Sequence, residues 1–369
     1  MKKYILTCLP VVLAAMGSLS ADSANGTQAK SGQPANGTMN QITPPALPAV
    51  KRAADPYLTA EYIFWKAQQE GLEYAATGIS TSPTTSAHGH GSVHRPDFDY
   101  ESGFKVGFGL KFRHDNWDAY ANYTWLFSDD NDSSTHGRSG QPVTPLWYLP
   151  VNEGIPFVLP ADKAESDWSM HFNVLDLELG RNYNISPRLT LRPHFGLKLA
   201  WIDQDMFLEY ENANGTTSIE GQTKSTTTRY HFDNDMFGVG IRAGFNTAWF
   251  MWVNKGTISQ GFSLFGNFAA TALYADFDVD QKASFQNTDS AKRTIARFEN
   301  DSQIVTPVLE WALGLRYQTD FYNENYEFMI QAAWEEQVWF NQNQFSNLYD
   351  RINGNLTLEG LTVKAGFSF

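Results

Sequence analysis

The chain has 369 residues, a formal charge of −13 and an aromatic content of 14%, carried by 26 Phe, 16 Tyr and 11 Trp. That acidity excludes nucleic acid as a partner, which requires clustered positive charge. The single cysteine, Cys8, leaves the chain beyond it without disulfides, thiolate metal sites or a cysteine nucleophile.

Residues 1–20 read as a secretory signal: Lys2 and Lys3 precede a short apolar core, Tyr4 to Met16, followed by the small residues "GSLSA". Without them, 25 cations face 40 carboxylates, a charge of −15. Residues 21–54 are rich in Ser, Ala, Gly, Asn and Pro and aperiodic, as expected of a flexible periplasmic linker. "ANGT" occurs twice here and again at Ala213, a match too short to mark a repeat.

From Asp55 onward apolar residues recur at every second position, the spacing that gathers them on one face of a strand. Tyr57–Lys66 is a first, weaker segment. In Phe104–Phe112, "FKVGFGLKF", every apolar residue is even-numbered. Trp117–Phe127 carries Trp117, Ala119, Ala121, Tyr123, Trp125 and Phe127 on one side. Trp168–Asn182 is weaker, and Leu189–Trp201 strong. Phe237–Trp249, Gly261–Phe277, Val305–Tyr317 and Tyr326–Phe340 continue the series. Leu361–Phe369, "LTVKAGFSF", keeps the alternation to its last residue. Ten strands are predicted.

Their connections alternate. Short links carry "RHDN", "YNISPR", "WVNKGTIS" and "TDFYNEN"; the long ones are 70–99, 128–166, 206–230, 279–301 and 341–353. No segment beyond residue 20 is apolar for the roughly 20 residues a spanning helix needs. Short turns alternating with long loops are the plan of an outer-membrane barrel. The predicted fold is thus all-β: a transmembrane antiparallel up-and-down β-barrel over residues 55–369, of about ten strands, or twelve if 128–166 hides a hairpin. A soluble β-sandwich would need a second sheet over the apolar faces and leaves the loop asymmetry unexplained. The tryptophans supply girdles: Trp249 and Trp252 at the periplasmic rim, and Trp65, Trp168, Trp201 and Trp334 near the extracellular one. Phe369 would close the sheet and present the C-terminal signature read by the outer-membrane insertion machinery.

The opposite face should line the lumen: Lys105, Lys111, Asp118, Tyr120, Asn122, Thr124, Asp176, Glu178, Arg188, Arg192, His194, Lys198, Arg242, Glu310, Arg316 and Lys364. Buried charges need partners, so Asp176 and Glu178 should meet Arg192 and His194 across a short turn. Such a network either fills and stiffens the barrel or forms a charged constriction that tunes ion passage. Ten strands leave a narrow bore at best, although inward glycines such as Gly107, Gly109, Gly240 and Gly314 open space. Loop 128–166 contains "PLWYLP" and "GIPFVLP", apolar enough to fold inward, to contact a neighbouring subunit of a homo-oligomer, or to form a hairpin.

His88, His90 and His94 in "HGHGSVH" offer imidazoles to zinc or copper, but the glycine-rich setting without nearby Cys or carboxylate favours ordinary loop histidines. "SDDNDSS" at 128–134 and "ADFDVD" at 275–280 cluster carboxylates near the outer rim. They could serve a cation or, with His136, an omptin-like protease pair; no omptin-like motif is present, and solvated acidic loops are the plainer reading.

The stretches "AEYIFWKAQQEGLEYA" (60–75), "VLDLELGRNYNISPRLTLRPHFGLKLAWI" (174–202) and "FGVGIRAGFNTAWF…SLFGNFAATALYADF" (237–277) resemble the major outer-membrane protein family of Legionella and related pore-forming proteins of chlamydia-like bacteria. The resemblance implies an abundant barrel with porin-like activity and supplies no catalytic motif. Cysteine-rich major porins cross-link covalently, which this chain cannot do. The expectation is a non-enzymatic, cofactor-free and metal-free outer-membrane pore, exported through the general secretory pathway, in contact with the lipid bilayer and lipopolysaccharide and passing small solutes and ions. The alternative is a filled barrel whose extracellular loops carry adhesion or envelope structure.

Overall fold

The structure, a computed structural model, describes residues 54–78, 91–112, 115–130, 133–137, 142–147, 161–212, 218–219, 222–223, 225–255, 259–287, 291–321, 326–346 and 352–369. The signal and most of the linker, His88, His90 and "GIPFVLP" lie outside them.

Ten strands form the wall: β1 (Ala54–Gln69), β2 (Tyr100–Phe112), β3 (Trp117–Asp129), β4 (Lys163–Arg181), β5 (Leu189–Asn212), β6 (Thr226–Lys255), β7 (Ser259–Asn287), β8 (Arg293–Phe321), β9 (Tyr326–Asn343) and β10 (Gly354–Ser368). Each pairs antiparallel with its neighbours in the chain, and β10 returns to β1, closing the barrel. The seam runs from Tyr57 opposite Ser368 to Gln69 opposite Leu356. Beyond it, the Phe369 N–H donates to the Pro56 carbonyl at 3.1 Å. Pairing every strand leaves no open sheet edge in hydrocarbon, where an unpaired backbone group has no alternative partner.

Along most of the wall burial alternates, though Arg297–Asp301 of β8 are all exposed, and the chemistry being buried reverses part-way up. In the lower part of β5, Phe195, Leu197 and Trp201 point outward while Arg192, His194 and Lys198 point inward. Above Trp201, Asp203, Asp205 and Glu209 face out, and Ile202, Met206, Leu208 and Tyr210 are buried. On β4 the outward Leu175, Leu177 and Leu179 give way to His171, Ser169 and Asp167, while inward Asp176 and Glu178 give way to Val174, Phe172, Met170 and Trp168. The reversal is at one level across the wall. Leu175, Leu199, Val239, Tyr274 and Val305 form one cross-strand rung, and His171, Asp203, Asp235, Asp278 and Asp301 form a rung four residues higher.

A change of solvent explains this reversal. Below it the outside faces lipid and the inside is polar; above it the outside faces water and the apolar groups turn inward. The outward series on β6 from Phe237 to Trp249 spans twelve residues, which at ~3.3 Å each and ~40° tilt is about 30 Å, a hydrocarbon thickness. Trp201 and Phe237 pack at the top of this band with ring centroids 5.7 Å apart, and Trp249 and Trp252 stand exposed at its foot.

The wall is uneven. β6, β7 and β8 have 30, 29 and 29 residues, whereas β2 and β3 have 13 each. The concave inner side of the tall wall is covered by segments from the low side. Trp147 stacks near Phe232 (4.7 Å) and Phe345 (6.2 Å) and donates its indole N–H to the Glu73 carbonyl at 2.9 Å. A small sheet of Ala75–Thr77, Ser92–His94 and Thr144–Pro145 lies between the low strands' long connections.

Four sequence expectations change. The stretches 206–212, 226–230, 279–287 and 293–301, read as loop, are strand; polar outward residues hid their alternation. Trp65 and Trp168 are not girdle residues but lie fully buried inside, because they stand above the reversal. Arg188 sits exposed in the turn before β5, not in the lumen. Of the two short strands described within 128–166, Ser133–His136 pairs with the outer end of β4 and Thr144–Pro145 with Ala75–Ala76; neither joins as a spanning hairpin, and the barrel closes with ten.

Phe232→Ala should remove about 3–5 kcal/mol of packing from the upper core. Hydrogen exchange should then accelerate in β5 and β6 above Trp201 while the lower pairs of the same strands keep their protection. Uniform acceleration along both strands would contradict the division into two cores.

Candidate functional site: the charged lumen and the acidic outer wall

The lower lumen is built from long charged side chains that reach past neighbouring strands. Arg192 on β5 donates to Asp118 on β3 (Nε to Oδ2, 2.9 Å) and to Glu178 on β4 (3.0 Å). His194 lies 3.6 Å from Glu178. Lys198 reaches Asp176 at 2.8 Å and Glu310, three strands away on β8, at 2.6 Å. Arg242 pairs with Glu310 and approaches Glu178 at 3.4 Å and Asp176 at 3.6 Å.

A second group ties the seam together. Lys364 contacts Glu61 (2.7 Å) and the Tyr120 hydroxyl (3.1 Å), and Lys105 and Lys111 on β2 reach Glu335 (2.6 Å) and Glu327 (2.8 Å) on β9. Arg316 donates to Gln331 at 3.0 Å and lies over the Phe265 ring. Inward glycines serve this packing rather than a bore. The Tyr57 ring occupies the space beside Gly109, the Tyr120 hydroxyl that beside Gly107, and the two rings stack at 5.6 Å. Lys105, Lys111, Arg192, Lys198, Arg242, Arg316 and Lys364 thus lie among the carboxylates of Glu61, Asp118, Asp176, Glu178, Glu310, Asp320, Glu327 and Glu335, so both signs line the interior.

Of the thirteen charged or ionisable residues assigned to the lumen from the sequence, all but Arg188 are on inward faces. Glu178 does meet Arg192 and His194. Asp176 instead faces Lys198, because the register places Gly180, not Glu178, opposite His194. Sequence reasoning missed Glu61, Glu327 and Glu335, which lie on β1 and β9, two of the four strands whose alternation is weaker in the sequence.

Above the charges the inward faces are apolar and buried. Trp65, Leu126, Phe172, Ile202, Phe232, Leu273, Val308, Trp339 and Leu356, one from each strand except β2, are all 0% exposed. Phe172 on β4 meets Trp339 on β9 edge-to-face at 5.4 Å. Those strands are five apart in a ring of ten, so the contact spans the full width of the barrel. Gln204 on β5 similarly bonds Gln69 on β1 at 3.2 Å.

On the outside, just above the lipid band, carboxylates stand directly opposite one another. One rung carries Asp203, Asp235, Asp278 and Asp301; the next carries Asp205, Asp233, Asp280 and Glu299. Arg297 pairs with Asp280 (2.6 Å) and Glu299 (2.9 Å), and His231 with Asp233 (3.2 Å). Partial burial, then repulsion from Asp203, Asp233 and Asp278, pushes the Asp235 carboxyl up to about 6. Asp278 is also raised, by burial and by Asp301, Glu299 and Asp280. "ADFDVD" is therefore strand β7 with its acids facing out, not loop. His136 stands opposite Lys163, and His94 is held by the hydroxyl of Thr77 at 2.8 Å.

The family described as Legionella pneumophila major outer membrane protein precursor matches residues 46–369. The chain belongs to that family. It is accordingly an outer-membrane β-barrel protein. No curated protein matches it. Solved structures similar to it are outer-membrane barrels. The outer membrane protease OmpT from Escherichia coli is 9% identical over 85% of this chain and 96% of its own, with a TM-score of 0.29. A Pseudomonas aeruginosa FadL homologue is 11% identical over 86% and 90%, TM-score 0.24. The P. putida toluene transporter TodX is 10% identical over 89% and 91%, TM-score 0.25. No activity is carried over from them.

Two tests follow from the site of this major outer membrane protein family member. Arg192→Ala leaves Asp118 and Glu178 buried beside a missing cation and should cost roughly 3–5 kcal/mol, read as a lower urea midpoint in lipid. Arg192→Lys, which lacks the forked donor, should recover only part of it. Because the folded chain holds the Asp278 proton more tightly than the unfolded chain, that group's contribution is present at low pH and lost as pH rises through its folded value. Asp278→Asn should therefore raise the thermal midpoint at pH 8, on the order of 1 °C, and leave it unchanged near pH 4; the opposite pH dependence would refute the repulsive rung.

Proposed function

We infer that this barrel has a filled lumen and acts through its extracellular extension, as a surface or envelope-structural protein without catalysis. The Phe172–Trp339 contact across the barrel carries this reading: side chains from opposite walls touch, within a layer of apolar residues that are 0% exposed. The tall wall of β6, β7 and β8 supplies a rigid platform above the membrane, and Trp147 and Phe345 fasten the outer segments to it. Export through the general secretory pathway by residues 1–20, recognition of the strand ending in Phe369 by the insertion machinery, contact of the outer band with lipid and lipopolysaccharide, and self-association belong to the same proposal.

The second reading is the porin-like one: passive diffusion of ions and small solutes past the charged lumen. The balanced ring of Arg192, Lys198, Arg242, Asp176, Glu178 and Glu310 favours it, since such a ring would pass either ion sign weakly. Conduction would require the apolar layer above to move.

Conductance of purified, refolded protein in a planar bilayer separates the two, with heat-modifiable gel mobility confirming the folded barrel. The filled reading expects silence from wild type and discrete steps from the Phe172→Ala/Trp339→Ala double variant. Reproducible electrolyte-dependent steps from wild type would overturn it in favour of the pore.

A further inference from the structure

Among the described residues of the acidic outer wall, one place brings three ligand atoms of mixed type together. Asp205 on β5 and Asp233 on β6 are direct cross-strand partners, and His231 is the next outward residue along β6. One ligand atom from each of Asp205, His231 and Asp233 lies within 4.8 Å of the other two. All three project from the long β5–β6 pair, whose register runs unbroken from Leu189–Trp249 to Asn212–Thr226, so backbone pairing fixes their spacing. Preset ligand spacing on strands is what a metal site requires.

We propose that Asp205, His231 and Asp233 form a surface site for Zn2+, just outside the lipid band. Tetrahedral Zn2+ with ligands at ~2.0–2.1 Å needs ligand atoms about 3.3 Å apart. The Nε2 of His231 is already 3.2 Å from Asp233, and rotation of the Asp205 side chain closes the remainder. Three protein ligands leave the fourth position to water. The imidazole sets the chemical class: nitrogen with two carboxylates suits zinc and its transition-metal neighbours, whereas Ca2+ and Mg2+ take oxygen ligands. The adjoining rung places His171 opposite Asp203, but that imidazole packs against the Phe127 ring at 4.7 Å and is not part of the site. Asp280, opposite Asp233, is held by Arg297 and is left out as well. The site goes beyond the envelope role and stands whether the lumen is filled or open.

The test uses the refolded full chain carrying His88→Ala and His90→Ala, which leaves His94 as the one imidazole of that loop group, already bonded to Thr77. Zn2+ is titrated in competition with a chromogenic chelator, and heat-modifiable mobility confirms folding of each variant. The expected result is one equivalent of Zn2+, bound at least roughly tenfold more weakly after His231→Ala or Asp205→Asn and not displaced by excess Ca2+ or Mg2+. Absence of bound Zn2+, equal affinity in both variants, or displacement by Ca2+ would each overturn the proposal.

Discussion

Hydrocarbon offers no hydrogen-bond partner to a peptide group, and the architecture of this protein follows from that single deficiency. Each strand must be paired on both sides, so the sheet must close, and β1 must find β10 from the far end of the chain. Closure at ten strands fixes a narrow interior. A narrow interior lined by Arg and Lys brings opposite charges within bonding distance across several strands, as Lys198 and Glu310 show. The ion pairs are therefore a result of the barrel's radius and not an independent choice. Their desolvation is offset most where a charge finds more than one partner: Glu178 faces Arg192, His194 and Arg242.

The second ordering influence is that one continuous strand crosses two solvents. β5 is read outward as Leu-Leu-Trp in lipid and Asp-Asp-Phe-Glu in water, with the inner face taking the complement each time. The period of two persists throughout; only its assignment to inside and outside reverses. The protein is thus two cores stacked end to end, a polar one below and an apolar one above, sharing the same backbone.

That reversal decides what the sequence could reveal. Leu189–Trp201 and Phe237–Trp249 were legible because apolar residues face lipid there for a dozen positions. Trp168, Met170, Phe172 and Val174 carry an equally regular signal, yet the alternation alone cannot say whether an apolar series meets lipid or the interior. Trp65 and Trp168 were misplaced for that reason. The inward charges were legible as types and faces, whereas the partner of each depended on register. The opposed carboxylate rungs were invisible, since Asp203, Asp235, Asp278 and Asp301 come from four separate segments that only strand pairing brings abreast.

The uneven height of the wall bears on the order in which the molecule can assemble. β6, β7 and β8 are joined by hairpins, so their long pairings form between neighbours in the chain, whereas the shorter β1–β10 seam joins its two ends. Local pairing precedes distant pairing, because the loop entropy of the latter is lost before any contact rewards it. The tall sheet is then complete while still open. In that interval Tyr230, Phe232 and Phe277, later covered, stand bare on its inner side. The stage most exposed to misassociation is a half-finished sheet in the aqueous periplasm, and a transient escort for that apolar hollow is needed only until Trp147 seats against it.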